Sequence, residues 1–377
     1  MSSSDLSTGM RSIIDKSRKL IEIAYSNPTL LMDAEIIKLK VQAFINAMPR
    51  VKPHYAVKAN PDAYLLKVLE QQDASFEVAS DQEINLLDRL NLLSGDVHFS
   101  NPVKSERAIL NAINKGIKWF TVDSKEELLK IVRIFPQAKL SLRIDVPNEG
   151  SDWPLTGKFG AKMGDVKEII RLAARVKARL QGVSFHVGSQ CRNPNSWKVA
   201  IDKAKYVMGE LDTAGLRVSL LNIGGGFPVT MTIPVPEIEV IGDIINREIL
   251  SLDKDLEIIA EPGRFLVADA GCLISQVIGT TSRDNVRWAY LDTGVFGGLL
   301  ESSQGLSYKM FSNGVGRLVP WTIAGPTCDA VDVLPVKQLL PERLQTGDYI
   351  YILNAGAYTS VYASNFNGFS SPLVKFL

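Results

Sequence analysis

The sequence has few cysteines and histidines, no long apolar run and almost no net charge. Three cysteines and three histidines occur among 377 residues, and both sets are widely scattered. This scatter excludes a disulfide framework and shows no metal-ligand pattern, so we predict no metal site and a reducing, cytoplasmic environment. The apolar runs are too short to span a membrane, and the polar residues 1–8 are not typical of a signal peptide. A formal net charge of +1 provides no basic field for nucleic acid.

The sequence does contain a regular alternation of short apolar runs and amphipathic segments. Its composition is that of a globular protein, and its length is sufficient for two domains. Helical spacing separates eight predicted strands, which are 54–58, 75–79, 97–100, 119–122, 139–144, 182–186, 219–223 and 257–260. An open doubly wound sheet is the alternative, but eight strands favour a (β/α)₈ TIM barrel of the α/β class.

The pattern changes beyond Gly263. Predicted strands 271–281, 286–291, 319–323 and 348–353 are separated by glycine, proline, serine and asparagine, which indicates an all-β domain. We therefore divide the chain into three parts. Segment 1–27 is expected to pack on the β domain, 28–265 forms the barrel, and 266–377 forms the C-terminal β domain. Within the barrel part, helical spacing predicts a first helix over 30–48.

A lysine lies at the end of the first barrel strand. Lys58 precedes the turn at Asn60-Pro61. A lysine that loses water at such a position gives up its proton more readily and becomes a nucleophile able to form a Schiff base. The alternative is a lysine whose stem lies along the barrel while its ammonium group reaches solvent.

Three further motifs follow barrel strands, where the active sites of such barrels lie. The triple glycine 224–226 exposes backbone N–H groups to an anion such as phosphate, or else forms a turn that needs positive φ. Glu261 suits a protonated ring nitrogen and Arg264 suits a phosphate, although a surface ion pair between them is the alternative. His186 places an imidazole at another strand end.

The β domain adds two candidates. The turn from Gly325 to Asp329 presents the thiol of Cys328 beside a carboxylate, which favours an acid–base role over a buried structural cysteine. Tyr358 lies on a loop of small residues, where a packed tyrosine is the simplest interpretation. A lysine nucleophile, a phosphate loop, a ring-nitrogen carboxylate, an arginine and a histidine together indicate pyridoxal 5′-phosphate as the cofactor.

The chain closely resembles the barrel-type pyridoxal-phosphate decarboxylases of the alanine-racemase-like fold, and within them the ornithine/lysine decarboxylase group. The resemblance runs from about residue 25 to the C terminus. It rests on Tyr55-Ala-Val-Lys-Ala-Asn60, Phe185-His-Val-Gly-Ser189, Gly224-Gly-Gly-Phe227, Glu261-Pro-Gly-Arg264, Gly325-Pro-Thr-Cys-Asp329 and Ala357-Tyr358. It implies decarboxylation of an ornithine-like basic amino acid to an amine, as in polyamine biosynthesis, by a homodimer with shared active sites.

The resemblance also implies roles for individual residues. Lys58 forms the Schiff base with the cofactor, His186 stacks on the ring, and Glu261 pairs with the ring nitrogen. Cys328 returns a proton to Cα and, with Asp329, reaches into the neighbouring subunit's site. The implied cofactor-binding set is completed by Glu77, Arg143, Ser189, Gly225, Gly226, Arg264 and Tyr358.

Two departures from the family lie near the expected cofactor. Relatives usually carry aspartate where Glu77 stands, and often where Asn222 stands.

A third departure concerns the expected substrate pocket. Relatives that form diamines carry an acid at the position of Gly305, or an acidic pair at Gln304 and Gly305, which binds the distal ammonium group. In this chain Asp329 and Glu301 are the acids that remain. A distal cation is therefore under-compensated, which favours as an alternative substrate a modified amino acid, for example an aminocarboxypropyl group on a larger molecule.

Particular residues argue against three other functions. A catalytically silent regulator of this fold would have lost Lys58, Cys328 or the glycine loop, and all are present. A racemase would carry an arginine in place of Glu261, together with a tyrosine base in the β domain. A diaminopimelate decarboxylase would carry a different cysteine loop.

Overall fold

The computed structural model describes residues 8–23, 27–93, 96–155 and 157–377. They form two compact units. The barrel unit comprises residues 38–228 and 235–263. The β unit comprises the described residues up to 37, together with 229–234 and 264–377.

The described chain begins with helix α1 (Thr8–Ile23), strand β1 (Thr29–Met32) and helix α2 (Ala34–Ala47). The helix predicted over 30–48 therefore starts four residues late. Asp33 explains the late start, because its Oδ1 accepts the backbone N–H of Glu35 at 3.0 Å and so favours a helix that begins after it. The apolar residues before Asp33 extend instead as β1.

The barrel unit continues as an alternation of strands and helices. Its elements are β2 (Lys52–Ala56), α3 (Ala63–Glu70), β3 (Ser75–Val78), α4 (Asp81–Arg89), β4 (His98–Phe99), α5 (Glu106–Asn114), β5 (Trp119–Val122), α6 (Lys125–Ile134), β6 (Lys139–Arg143), β7 (Ser151–Trp153), α7 (Met163–Arg175), β8 (Arg179–Ser184), β9 (Ser189–Cys191), α8 (Asn195–Thr213), β10 (Leu220–Asn222), α9 (Ile238–Ile249) and β11 (Glu257–Ala260).

Eight of these strands close into a parallel barrel in the order β10-β11-β2-β3-β4-β5-β6-β8. Each of the eight strands predicted from the sequence overlaps one of them, so the (β/α)₈ prediction is confirmed. The short strands β7 and β9 pair antiparallel outside the barrel.

Polar caps explain where several barrel helices begin. The side chains of Asp62, Ser80, Ser105 and Ser124 accept backbone N–H groups at the starts of α3, α4, α5 and α6. Such a cap is worth about 1 kcal/mol. Because every cap follows a strand within a few residues, it also sets the length of the loop at the strand's carboxyl end.

The β unit is built on an eight-stranded mixed sheet. Its further elements are α10 (Arg264–Val267), β12 (Gly271–Arg283), β13 (Val286–Leu291), β14 (Met310–Ser312), β15 (Leu318–Ala324), β16 (Gln338–Pro341), β17 (Tyr349–Leu353), α11 (Thr359–Tyr362) and β18 (Leu373–Phe376). All four strands predicted beyond Gly263 are found, as β12, β13, β15 and β17. The four missed strands are β1, β14, β16 and β18.

The first two described elements belong to the β unit. Strand β1, which the sequence-based division assigned to the barrel, pairs antiparallel with β12 and parallel with β18. Ile13 and Ile14 of α1 pack with Leu31 and with residues of β12 and β17 in one apolar cluster. In the part of the chain that the structure describes, no helix is long and apolar enough to cross a membrane.

Candidate active site

The carboxyl ends of the barrel strands hold seven polar side chains that lie far apart in the sequence. Parallel strands of a barrel all end at one rim, which is why these positions converge. They are Lys58 after β2, Glu77 in β3, Ser100 after β4, Arg143 at the end of β6, His186 after β8, Asn222 at the end of β10 and Glu261 after β11.

Lys58 is accessible to solvent and contacts a buried acid, Glu77. The first barrel strand ends at Ala56, and Lys58 lies in the 3₁₀ turn Val57–Ala59 that follows it. Its Nζ lies 3.0 Å from Oε2 of Glu77. The Glu77 side chain is 2% exposed, whereas that of Lys58 is 46% exposed, so the lysine remains open to a ligand.

Glu77, the acid that contacts Lys58, has a raised pKa. Burial raises the pKa of Glu77 to about 7, with Glu261 and Glu83 adding to the rise and Lys58 opposing it. The carboxyl group with this raised pKa lies within hydrogen-bond distance of the Lys58 amine.

Glu261 is held by two neutral donors. Its Oε1 accepts from Ser100 Oγ at 2.5 Å and from Asn222 Nδ2 at 2.6 Å. Short contacts of this kind are typical of hydrogen bonds to a charged acceptor. Arg264, which the ion-pair alternative would join to Glu261, pairs with Glu301 in the β unit.

His186 is neutral, and the orientation of its ring is defined by its own loop. Its Nδ1 accepts the backbone N–H of Gly188 at 3.0 Å, so this nitrogen carries no proton. Burial lowers the pKa of His186 well below its usual value, and the charges of Arg143 and Lys58 lower it further.

Burial also lowers the pKa of Arg143, while Glu261 opposes that change. The Arg143 guanidinium lies over the ring of Phe159 at 5.5 Å.

The triple glycine fits between two other strand-end loops. A Cβ on Gly225 would lie 2.6 Å from the Glu261 carbonyl oxygen, and one on Gly226 would lie 2.2 Å from the carbonyl oxygen of Gly188, the residue before Ser189. Gly226 also has φ of +100°. Side chains are therefore excluded here, and the backbone of this loop lies next to that of the Ser189 loop.

In the β unit, the structure unites three predicted site residues. Arg264 and Glu301 form a buried two-pronged ion pair, with Nη1 2.9 Å from Oε2 and Nη2 bonded to Oε1. The Tyr358 ring lies 4.9 Å from the Arg264 guanidinium carbon. Glu301 is thus neutralised by an arginine of its own chain, and Arg264 is held in place by it.

Cys328 lies on the surface of this unit, at the tip of its turn. Its Sγ and backbone N–H contact Oδ1 of Asn367 at 3.3 and 3.2 Å. Asp329, which is partly exposed, accepts the N–H of Val331 at 2.9 Å. The thiol is therefore positioned by Asn367 and open to its surroundings.

The turn is anchored by a residue that the sequence analysis missed. Asp332 is 1% exposed and accepts from the backbone N–H and hydroxyl of Thr327 and from the backbone N–H of Val295. Through these hydrogen bonds, Asp332 joins the Cys328 turn to the loop that leads to Glu301. The signal available was an aspartate four residues after Cys328, which alone does not reveal its partners.

Gln304 and Gly305 are exposed at the end of the 3₁₀ turn Leu300–Gln304. Gly305 has φ of +99°, the left-handed region that favours glycine. This conformation gives a structural reason for the glycine, separate from the loss of an acid.

Ser100 was also missed, and Asn222 was noted only as a departure from the family. Both stand at strand ends, the position that identified the other barrel residues. Neither was recognised, because an uncharged side chain at a strand end acquires meaning only once its neighbour is known to be Glu261.

The barrel residues fit pyridoxal 5′-phosphate. The set contains an accessible lysine, a carboxylate engaged by neutral donors and a neutral imidazole. The backbone N–H groups of Gly225 and Gly226 have no acceptor among the described residues, so they can donate to a phosphate. Within the described ranges, no group of three or more His, Cys, Asp or Glu residues could hold a metal ion.

Comparison with known proteins gives consistent matches. Residues 34–268 match the family described as pyridoxal-dependent decarboxylase, pyridoxal binding domain. The lysine/ornithine decarboxylase of Selenomonas ruminantium is 32% identical over 359 residues, covering 94% of this chain and 91% of that protein. Antizyme inhibitor 2 of Xenopus laevis is 33% identical, covering 88% of this chain and 77% of that protein.

Solved structures give a similar result. The arginine decarboxylase of Paramecium bursaria Chlorella virus bound to agmatine superposes with a TM-score of 0.91 at 30% identity. The match covers 98% of this chain and 100% of the viral one.

Proposed function

Because this chain belongs to the pyridoxal-dependent decarboxylase family, we propose that it decarboxylates a basic amino acid with an ornithine-like amino-acid end. The matches confirm the family, the decarboxylase class and the pyridoxal 5′-phosphate requirement that the motifs implied. The residue roles and the substrate are the proposal. The barrel rim is the observation that supports this proposal. There the accessible Lys58 contacts the buried Glu77, and Glu261 accepts hydrogen bonds from two neutral donors.

The cofactor, when bound, supplies a protonated aromatic ring that accepts the electron pair left behind as carbon dioxide departs. Glu261 serves this chemistry by holding the proton on the ring nitrogen, since it is the carboxylate of the rim whose donors are neutral. His186, held neutral by burial and by the charges of Arg143 and Lys58, offers an uncharged ring to stack against the cofactor.

Lys58 provides the amine that binds the cofactor and is displaced by the substrate amine. Glu77 lies 3.0 Å away and exchanges a proton near neutral pH, so it takes a proton from Lys58 Nζ and later returns it. Glu77 is longer than the aspartate usual in the family, and its side chain still contacts Lys58 Nζ at 3.0 Å.

The phosphate is assigned to two groups of residues. The N–H groups of Gly225 and Gly226 and the Ser189 hydroxyl form the group on the barrel unit. Arg264 and Tyr358, which are in contact with each other, form the group on the β unit. Arg143 adds positive charge near Glu261.

Cys328 donates the proton that replaces the lost carboxylate on Cα. Its thiol is exposed in the single chain, as expected for a group that completes the site of a second copy. We therefore include a homodimer with shared active sites in the proposal.

The distal end of the substrate meets little negative charge. Glu301 is bound by Arg264, and neither Gln304 nor Gly305 carries charge, so Asp329 is the remaining candidate for the distal amine. An ammonium group that is only partly compensated loses specificity relative to one with an acidic pair. This observation favours a second candidate substrate, a modified amino acid such as an aminocarboxypropyl group on a larger molecule.

The test is carbon dioxide release by cofactor-loaded protein from ornithine, lysine, arginine and an amino acid bearing the aminocarboxypropyl group, with Lys58→Ala as the inactive control. We expect release from at least one of these substrates and none with Lys58→Ala. Borohydride should fix the cofactor to Lys58. Labelling of a different lysine, or a loaded enzyme that is silent on the whole panel, would contradict the proposal.

A charge substitution tests the substrate end separately. We expect Gln304→Asp to raise kcat/KM for ornithine and lysine about tenfold, because it restores one acid near the expected distal amine. Gln304 is preferable to Gly305, whose positive φ would strain an aspartate. Ser303→Asp places the same charge in the same exposed turn and serves as the control. An equal gain from both variants would indicate long-range attraction rather than a distal-amine contact.

A further inference from the structure

We propose that Asn222 and Ser100 are positioning residues that hold Glu261 as an unprotonated carboxylate and leave its Oε2 for the cofactor's ring nitrogen. The inference rests on the proposed function for the role of Glu261, and on the geometry of the barrel rim for the rest.

The orientation of the Asn222 amide determines that Oε1 of Glu261 accepts a hydrogen bond. The backbone N–H of Gly224 can only donate, and it lies 2.8 Å from Oδ1 of Asn222, so that atom is the amide oxygen. The Nδ2 group therefore faces Glu261 Oε1 at 2.6 Å. Because Nδ2 is only a donor, Oε1 must accept and carries no proton, so any proton on Glu261 would lie on Oε2.

Ser100 donates to the same oxygen from the opposite part of the barrel. Its Oγ lies 2.5 Å from Oε1, and its own backbone N–H is engaged by the carbonyl of Val78 at 3.0 Å. The loop that follows it is held by buried Lys104, whose Nζ donates to the carbonyls of Asn101 and Thr121 at 2.6 Å each. Two hydrogen-bond donors therefore converge on one oxygen of Glu261.

Asparagine and aspartate would act differently at position 222. An aspartate would still accept from Gly224, but its second oxygen would lie against Oε1 of Glu261. Two carboxylates this close cannot both be ionised, so the pair would share a proton. The asparagine of this chain avoids that sharing, and the same groups, Lys58, Glu77, Arg143 and the neutral His186, surround the pair in either case.

The first experiment uses the cofactor-free protein and measures denaturant unfolding at pH 5, 6, 7 and 8. Relative to wild type, we expect Asn222→Asp to raise the unfolding equilibrium constant by up to tenfold per pH unit as pH increases. The sign follows because the folded pair keeps a proton that the unfolded chain has lost, and this stabilisation disappears as pH rises. Asn85→Asp adds the same charge beside the amide of Asn111 and should show no such slope.

The second experiment uses the cofactor-loaded protein and measures the dissociation constant of pyridoxal 5′-phosphate and the pH titration of its visible absorbance. We expect Ser100→Ala to weaken cofactor binding about tenfold and Asn222→Asp to shift the absorbance titration. Should Asn222→Asp not fold, Ser100→Ala carries this test alone, since it removes only a hydroxyl.

The outcomes separate the two proposals. A wild-type protein that binds no pyridoxal 5′-phosphate would overturn the proposed function, while the unfolding slope of Asn222→Asp would still report on Glu261. A wild-type protein that binds the cofactor, with Asn222→Asp matching Asn85→Asp in the first experiment or Ser100→Ala matching wild type in the second, would overturn the positioning role alone.

Discussion

At the scale of single residues, the chemistry of the rim depends on charges placed where water is excluded. Glu77 is the clearest case, because burial outweighs the attraction of Lys58 and raises its pKa to about 7. Lys58 has the opposite environment, with nearly half of its side chain exposed. A buried acid and an open amine in hydrogen-bond contact form a pair suited to passing one proton.

Glu77→Gln should change how stability depends on pH. In the wild type the folded state holds a proton on Glu77 that the unfolded chain releases above a pKa of about 4.5. This contribution is present at low pH and is lost as pH rises through about 7, at up to about 1.4 kcal/mol per pH unit. Glutamine cannot titrate, so cofactor-free Glu77→Gln should lose less stability than wild type between pH 5 and pH 7.5.

Urea unfolding of wild type and variant at both pH values measures this difference. Glu168→Gln, which removes an acid from an exposed pair with Lys125, is the control and should leave the pH dependence unchanged. Parallel profiles for Glu77→Gln and wild type would mean that Glu77 is ionised throughout this range.

At the scale of elements, loops after strands are held by buried polar anchors. Asp332 joins the Cys328 turn after β15 to the loop after β13 through Val295 and Thr327. Two glycines make this possible, because a Cβ on Gly294 or Gly325 would approach Oδ1 of Asp332 to 2.2 or 2.3 Å.

Asp332→Ala should destabilise the protein by roughly 2–4 kcal/mol, because it leaves two backbone N–H groups and a hydroxyl without their acceptor. Urea unfolding gives the magnitude. Asp329→Ala, in the same turn but partly exposed, should cost under about 1 kcal/mol. Equal losses for the two variants would remove the distinction between anchor and surface acid.

The barrel strands also bury histidines whose protonation opposes folding. The His54 and His98 rings lie 4.7 Å apart, and His98 stacks on Trp119 at 5.4 Å. Burial lowers the pKa of His98 to about 3 and that of His54 well below its usual value of 6.5. The folded state therefore binds fewer protons than the unfolded chain, so stability falls as pH drops below about 6.5.

His98→Phe should reduce this acid sensitivity. Phenylalanine keeps an aromatic ring against Trp119 but cannot titrate, so the loss of unfolding free energy between pH 6.5 and pH 4.5 should be smaller by up to about 2–3 kcal/mol. The comparison is between the two pH values within each protein, which cancels any packing cost of the substitution. An unchanged pH dependence would mean that His98 is protonated in the folded state.

At the scale of the whole molecule, our proposal includes a homodimer whose active sites are shared between two copies of the chain. Lys58 belongs to the barrel unit, whereas Cys328 lies exposed on the β unit. Mixing Lys58→Ala with Cys328→Ala should restore activity, because a mixed dimer contains one site with both residues intact. Random exchange would recover about a quarter of the sites. The absence of recovery, with exchange verified by mass, would show that each chain uses its own cysteine.

The sequence by itself determined the barrel, four strands of the β domain and the strand-end positions of Lys58, His186 and Glu261. These features are local, because apolar runs, capping residues and strand ends are all recorded within a few positions of the chain. A lysine or glutamate at a strand end could therefore be assigned to the rim without knowing what it contacts.

Only the tertiary structure decided how these residues are paired. Ser100 and Glu261 are 161 positions apart, and Arg264 and Glu301 are 37 apart, so neither contact is visible in any short window of sequence. The pairing of β1 with β12 and the contact of Asp332 with Val295 also join distant positions, so the sequence did not reveal them. Barrel closure and sheet pairing bring such positions together, and they depend on the packing of the complete unit rather than on local preference.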